Sequence, residues 1–141
     1  VNTEQFKILS IGTWDLLHFG HLNIINYCKK LSSDVWIGVN SDEFVAKYKG
    51  NPPLMTFEER IKNIEMLGVK TVRNNSAGKN TIIEISPDIL VIGSDWARKD
   101  YLPQLDVTQD ELDQWDISIL YVPYTAKLST TVLKNRLKSQ E

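Results

Sequence analysis

An α/β fold, with a mostly parallel sheet covered by helices on both faces, is what this sequence predicts. Two observations carry the expectation. Short apolar runs of strand length recur along the chain, at 6–11, 34–39, 88–93 and 117–122. Between them lie segments with helical spacing or helix-capping signatures, and strands that alternate with helices argue for a parallel sheet.

Taken in order, residues Phe6 to Ile11 form the first strand, stopped at Gly12. From Gly20 to Leu31 the apolar positions Leu22, Ile24, Ile25, Cys28 and Leu31 recur at helical spacing. "DVWIGV" (Asp34 to Val39) is the second strand, and Asn40 or Ser41 offers a cap before "DEF". "KYKGNPPL" (Lys47 to Leu54) reads as a loop, with its glycine and paired prolines. Thr56 and Glu59 make a capping box for a helix to about Leu67, closed by Gly68. A strand at about Thr71 to Arg73 precedes a polar stretch and a short helix from about Thr81. "DILVIG" (Asp88 to Gly93) is the clearest buried strand. "TQDE" (Thr108 to Glu111) is a second capping box, opening a helix toward Trp115; "ISILYV" (Ile117 to Val122) is the last strand. Ser129 opens a final helix through about Lys138.

The expected whole is a single domain over residues 1–141 with a Rossmann-like three-layer arrangement. In such sheets ligands sit beyond the carboxyl ends of the strands, where strand order reverses. Three segments converge on that rim: 12–21, 93–98 and 123–131.

Bulk properties narrow the setting. The chain has 141 residues, 42% hydrophobic and 24% charged, with a formal net charge of −2. A domain of that size buries about 70% of its unfolded surface and needs no staples. The single cysteine, Cys28, excludes a disulfide framework, points to a reducing, cytoplasmic compartment, and reads as a small apolar core residue. No apolar run approaches the ~18 residues of a membrane span, and no signal-peptide pattern is evident. Weak acidity argues against a nucleic-acid surface.

Both histidines of the chain, His18 and His21, fall in "IGTWDLLHFGH". At i and i+3 on a helical turn they are neighbours and face one target. A helix start there adds free N–H groups and positive dipole charge, which suit a phosphate. Gly20 between them, and Gly12 and Thr13 at the strand end, let an anion approach the backbone closely. A zinc site would want further ligands; no second cysteine exists, and Asp15 is the sole carboxylate in the ten residues before the pair. No dedicated protein ligand for a metal is expected.

"GTWDLLHFGH" resembles the GTFDxxHxGH signature of the cytidylyltransferase branch of the HxGH nucleotidyltransferase superfamily, with the nearest likeness to the glycerol-3-phosphate cytidylyltransferase group. The likeness continues in chain order through "SDEF", "ER", "IGSDW" and "LSTT". It implies attack of a small phosphorylated or phosphonate-bearing alcohol, such as glycerol 3-phosphate, on the α-phosphorus of CTP, giving a CDP-alcohol and pyrophosphate. Mg²⁺ would be held mainly through the CTP phosphates, and relatives of this kind commonly pair as homodimers. Two other outcomes compete: an adenylyltransferase of the same superfamily using ATP, and a catalytically silent nucleotide-binding module. The intact histidine pair argues against the latter.

The resemblance also distributes roles. His18 and His21 would donate hydrogen bonds to the α- and β-phosphate oxygens, with Lys47 assisting them and Lys49 reaching phosphate or acceptor. Gly12, Thr13, Trp14, Asp15 and Gly20 would border the nucleotide; Asp15 reads equally as a turn aspartate that caps the next segment. In "GSDW", Gly93 and Asp95 would meet the base, Asp95 accepting from the cytosine amino group. Trp96 packs either on the ligand or at the core edge, and Arg98 and Lys99 add positive charge beyond. Ser129, Thr130 and Thr131 supply hydroxyls at a helix start, Ser129 doubling as its cap. Two departures stand out: the family's RTxGISTT reads "YTAKLSTT" here, with Tyr124 for arginine and Lys127 for glycine, and another family arginine aligns with Gly68. Arg60 is retained, and with Tyr124 and Lys127 it is expected on the acceptor or phosphate side. Residues Tyr101 to Asp116 exceed the shortest family members and border the acceptor side.

Overall fold

The computed structural model describes residues 5–93 and 101–122. Five strands, β1 (Lys7–Gly12), β2 (Asp34–Asn40), β3 (Lys70–Asn74), β4 (Ile89–Gly93) and β5 (Ser118–Val122), form one sheet in the order β3-β2-β1-β4-β5. Among the described residues every pairing is parallel, in keeping with the expected parallel sheet. The helices are α1 (Phe19–Leu31), α2 (Asp42–Lys49), α3 (Phe57–Glu65), α4 (Lys79–Ile85), α5 (Leu102–Leu105) and α6 (Gln109–Gln114).

Side chains that alternate along each strand fill two core layers. Ile8 joins Ile25, Ile37 and Ile64 beneath α1 and α3, while its neighbour Leu9 joins Ile82, Leu90 and Leu112 beneath α4 and α6. Both expected capping boxes form, Thr56 with Glu59 and Thr108 with Glu111. Cys28 is buried and free. Burial pushes its thiol up to about 12, so it acts as a core apolar group.

Two expectations are corrected. Lys47 and Lys49 lie in the last turn of α2, not in a loop. Ser41 starts that helix by accepting from the Phe44 amide, and Gly50, at φ +86, ends it in the left-handed conformation that glycine tolerates. The prolines come only after that stop. The segment 101–116 is not merely a border of the site: Leu105, Val107 and Leu112 are buried in the second core layer. Within it α5, one short turn, has no periodicity for a sequence reading to detect. The expected final helix from Ser129 lies outside the described residues.

Among the described residues no helix is long and apolar enough to cross a membrane.

Candidate active site

Strand order reverses between β1 and β4, and there the sheet opens. Pairing of β1 with β2 runs to Gly12–Val39, whereas its pairing with β4 is registered at Ile8–Ile89 and Leu9–Leu90. Beyond that point the Ser10 hydroxyl donates to the Val91 carbonyl at 2.9 Å in place of the ladder. The result is a cleft of about 140 Å³ at the carboxyl ends of both strands, walled by Gly12, Thr13, Trp14, His21, Gly93 and Tyr101 among others.

The turn from β1 to α1 is tightly constrained. Trp14 and Leu16 hold φ values of 59° and 49°, a left-handed backbone that bulky residues rarely adopt. Trp14 is held there by burial and by its indole N–H, which donates to the Gly38 carbonyl at 3.0 Å. The indole also explains Gly12: a Cβ there would lie 3.2 Å from the ring. Gly12 therefore makes room for Trp14, where the sequence suggested room for an anion.

His18 is the N-cap of α1, and its Nδ1 accepts from the Gly20 amide at 3.0 Å. That amide is thus committed to His18 and not offered to a ligand as expected. Because Nδ1 carries a lone pair, a neutral His18 ring must carry its proton on Nε2. His18 Nε2 is buried and has no hydrogen-bond partner among the described residues, and the same holds for His21 Nδ1. Native interiors rarely leave such atoms unpaired. The two rings stack with centroids 4.0 Å apart, and Trp14 flanks His21 at 5.4 Å. The pair is sheltered rather than solvent-facing.

Burial holds His18 below the ordinary histidine range. His21 is pulled down to about 3, first by burial and then by His18, against an opposing pull from Asp15. Both rings are therefore neutral near pH 7. In the unfolded chain His21 takes its proton near pH 6.5. Between about 6.5 and 3 the unfolded state binds more protons, so stability is complete above that window and falls as pH drops through it. Urea melts at pH 7, 5.5 and 4.5 should show this loss, and His21→Gln should flatten it; parallel pH slopes for the two proteins would contradict the assignment.

Two expected ligand contacts are corrected. Asp15 is buried, and its carboxylate accepts from the Leu54 and Met55 amides at 2.8 and 3.0 Å. It clasps the distant 51–56 segment rather than capping the segment that follows it, where His18 is the cap. Arg60 is fully buried. Its guanidinium donates to the carbonyls of Thr13, Asn40 and Met55 at 2.6, 2.8 and 3.2 Å and to Asp42 at 2.6 Å. A phosphate cannot reach it without displacing protein acceptors. Lys47 and Lys49 are exposed at the end of α2. Asp95, Trp96, Arg98, Lys99, Tyr124, Lys127, Ser129, Thr130 and Thr131 lie outside the described residues.

The structure adds residues that the sequence reading passed over. Tyr48 brings its phenol within 3.2 Å of Thr13 Oγ1, joining α2 to the site loop. Asn40, the last residue of β2, donates to the same oxygen. Tyr101 walls the cleft, and burial, reinforced by Tyr48, raises its phenol above the usual range. A polar residue at a strand's carboxyl end was the available signal for Asn40; nothing local marked Tyr48 or Tyr101.

A family model described as cytidylyltransferase-like matches residues 9–136. The chain belongs to the cytidylyltransferase-like family. It is a nucleotidyltransferase. Over 135 residues it is 28% identical to glycerol-3-phosphate cytidylyltransferase of Bacillus subtilis (strain 168), covering 93% of this chain and 96% of that protein. It is 27% identical over 135 residues to the bifunctional protein HldE of Campylobacter fetus subsp. fetus (strain 82-40), covering 93% of this chain but 28% of that longer protein. Two solved structures share the fold. A lipopolysaccharide core biosynthesis protein from Thermoplasma volcanium GSS1 superposes with a TM-score of 0.61 at 23% identity, covering 84% of this chain and 97% of that one. A protein of unknown function from Archaeoglobus fulgidus reaches a TM-score of 0.69 at 21% identity, covering 87% and 93%.

Proposed function

We propose that this nucleotidyltransferase moves CMP from CTP to a small phosphorylated or phosphonate-bearing alcohol, glycerol 3-phosphate being the first candidate. The observation that carries the reading is the stacked imidazole pair, each ring with a buried, unpartnered nitrogen, beside a cleft at the switch point. The likeness to the Bacillus subtilis enzyme along nearly its whole length supports the choice of CTP and acceptor. An oxygen of the acceptor phosphate bonds to the α-phosphorus of CTP, the bond from that phosphorus to the bridging oxygen breaks, and pyrophosphate leaves. His18 Nε2–H donates to a phosphoryl oxygen on which charge grows, in a sheltered site where one such donor is worth about 3 kcal/mol.

Among the described residues no group of three His, Cys, Asp or Glu side chains is gathered to hold a metal. Mg²⁺ is proposed to arrive bound to the triphosphate, where it would neutralise charge. The exposed lysines Lys47 and Lys49 supply further positive charge from α2. Asp95 and Trp96 are assigned to the base, Ser129 and Thr130 to the triphosphate, and Tyr124 and Lys127 to the acceptor side. The working unit is proposed to be a cytoplasmic homodimer.

Pyrophosphate release measured with CTP or ATP, Mg²⁺ and a panel of phosphorylated alcohols tests this, with the product weighed by mass spectrometry. Turnover with CTP and glycerol 3-phosphate, with little from ATP, is the expected result. Faster turnover with ATP across the panel overturns the choice of base, and no turnover with either would make the chain a silent module.

A further inference from the structure

A line of buried polar side chains runs from α4 to the cleft. Thr81 Oγ1 donates to Asn74 Oδ1 at 2.7 Å, Asn74 Nδ2 donates to Asn40 Oδ1 at 2.8 Å, and Asn40 Nδ2 donates to Thr13 Oγ1 at 3.2 Å. Asn40, Asn74 and Thr81 are all buried. A side-chain amide can be turned over, exchanging donor for acceptor, so the direction of such a line needs an anchor. The Ser76 carbonyl is that anchor, because a carbonyl only accepts. The Asn74 atom 2.6 Å from it must be the amide nitrogen, whose second hydrogen then faces Asn40. That makes the facing Asn40 atom its oxygen and leaves the Asn40 nitrogen toward Thr13. Thr13 Oγ1 therefore accepts from Asn40 and cannot donate back.

One lone pair and one hydrogen remain on the Thr13 hydroxyl. The Tyr48 phenol, 3.2 Å away, can donate to that lone pair. The hydrogen is then left for the cleft, whose wall includes both Thr13 and His21. We propose that Asn40 and Asn74 are positioning residues that fix the Thr13 hydroxyl as a donor to a phosphate oxygen bound in this cleft. The proposal rests on the nucleotidyl-transfer reading, and it adds a specificity for phosphate set two and three side chains away from the ligand. Cross-strand adhesion between β2 and β3 would need the asparagines, but not a line that ends on a hydroxyl at the cleft wall.

The test is a double-mutant cycle read by calorimetric titration of the full chain with inorganic pyrophosphate at constant Mg²⁺. In Asn40→Asp the carboxylate still accepts from Asn74 but can only accept from Thr13, which draws the hydroxyl hydrogen away from the cleft. Asn40→Asp and Thr13→Val should each weaken binding about tenfold, the scale of one lost hydrogen bond to a charged group. The double variant should stay within about twofold of the weaker single one, because both remove the same donor. Asn74→Asp reverses the Asn40 amide from one residue further off and should reproduce the loss; its cycle with Thr13→Val serves if Asn40→Asp does not fold. Wild-type affinity in the aspartate variants, losses that multiply in the double variant, or no pyrophosphate binding by the unmodified protein would each overturn the proposal. Pyrophosphate carries no base and needs no acceptor, so a failure of the CTP reading leaves this cycle intact and separately readable.

Discussion

His18→Ala and His21→Ala are each expected to lower kcat by ~10²–10³, the range for losing one donor that meets developing charge in a sheltered site. The two substitutions should differ in what else they disturb. His18 also caps α1 through Nδ1, and losing an N-cap costs about 0.5–2 kcal/mol. His18→Ala should therefore lower both stability and turnover, whereas His21→Ala should act mainly on turnover. His18→Asn separates the two roles: its side-chain oxygen can still accept from the Gly20 amide, but no imidazole remains. Stability near that of the unmodified protein with kcat still down ~10²-fold is the expected outcome. Saturating steady-state kinetics together with urea melts checks it, and near-full turnover in either alanine variant would remove that histidine from the chemistry.

Much of this architecture is legible because its signals are local. A parallel strand buried on both faces is a short apolar run, so "DVWIGV" and "DILVIG" identify β2 and β4 almost to the residue. The capping boxes at Thr56 and Thr108 are equally plain, since both partners lie within four residues. His18 and His21 stand out by spacing alone, and the fold brings their rings together. Features built by distant segments are not legible. Arg60 satisfies carbonyls from a turn, a strand end and a loop that meet only in the folded chain, so in sequence it looks like any cation near an anion site. The line from Thr81 through Asn74 and Asn40 to Thr13 joins four segments, and no periodicity records it. The end of α2 is misplaced in sequence because lysines and prolines draw the loop boundary ahead of Gly50, the residue whose backbone ends the helix.

Removing the Arg60 guanidinium should be the most damaging single change to stability. Its N–H groups hold the site turn at Thr13, the end of β2 at Asn40, the approach to α3 at Met55, and the Asp42 carboxylate at the start of α2. Arg60→Met keeps much of the side-chain volume but strands those acceptors, and breaking a buried ion pair from one side costs about 3–5 kcal/mol. Asp42 is about one-third exposed (34%) and can recover some hydration, which favours the lower half of that range. Arg60→Lys restores the charge but not the planar fork, so one or two of the four bonds survive and an intermediate loss is expected. The kinetics should reflect the same geometry. If Arg60 shapes the site without touching phosphate, folded Arg60→Lys should lose kcat through a displaced Thr13 turn while KM for the nucleotide moves little. A large KM increase with unchanged urea stability would instead make Arg60 a phosphate ligand, and the packing role derived from its four protein acceptors would be wrong.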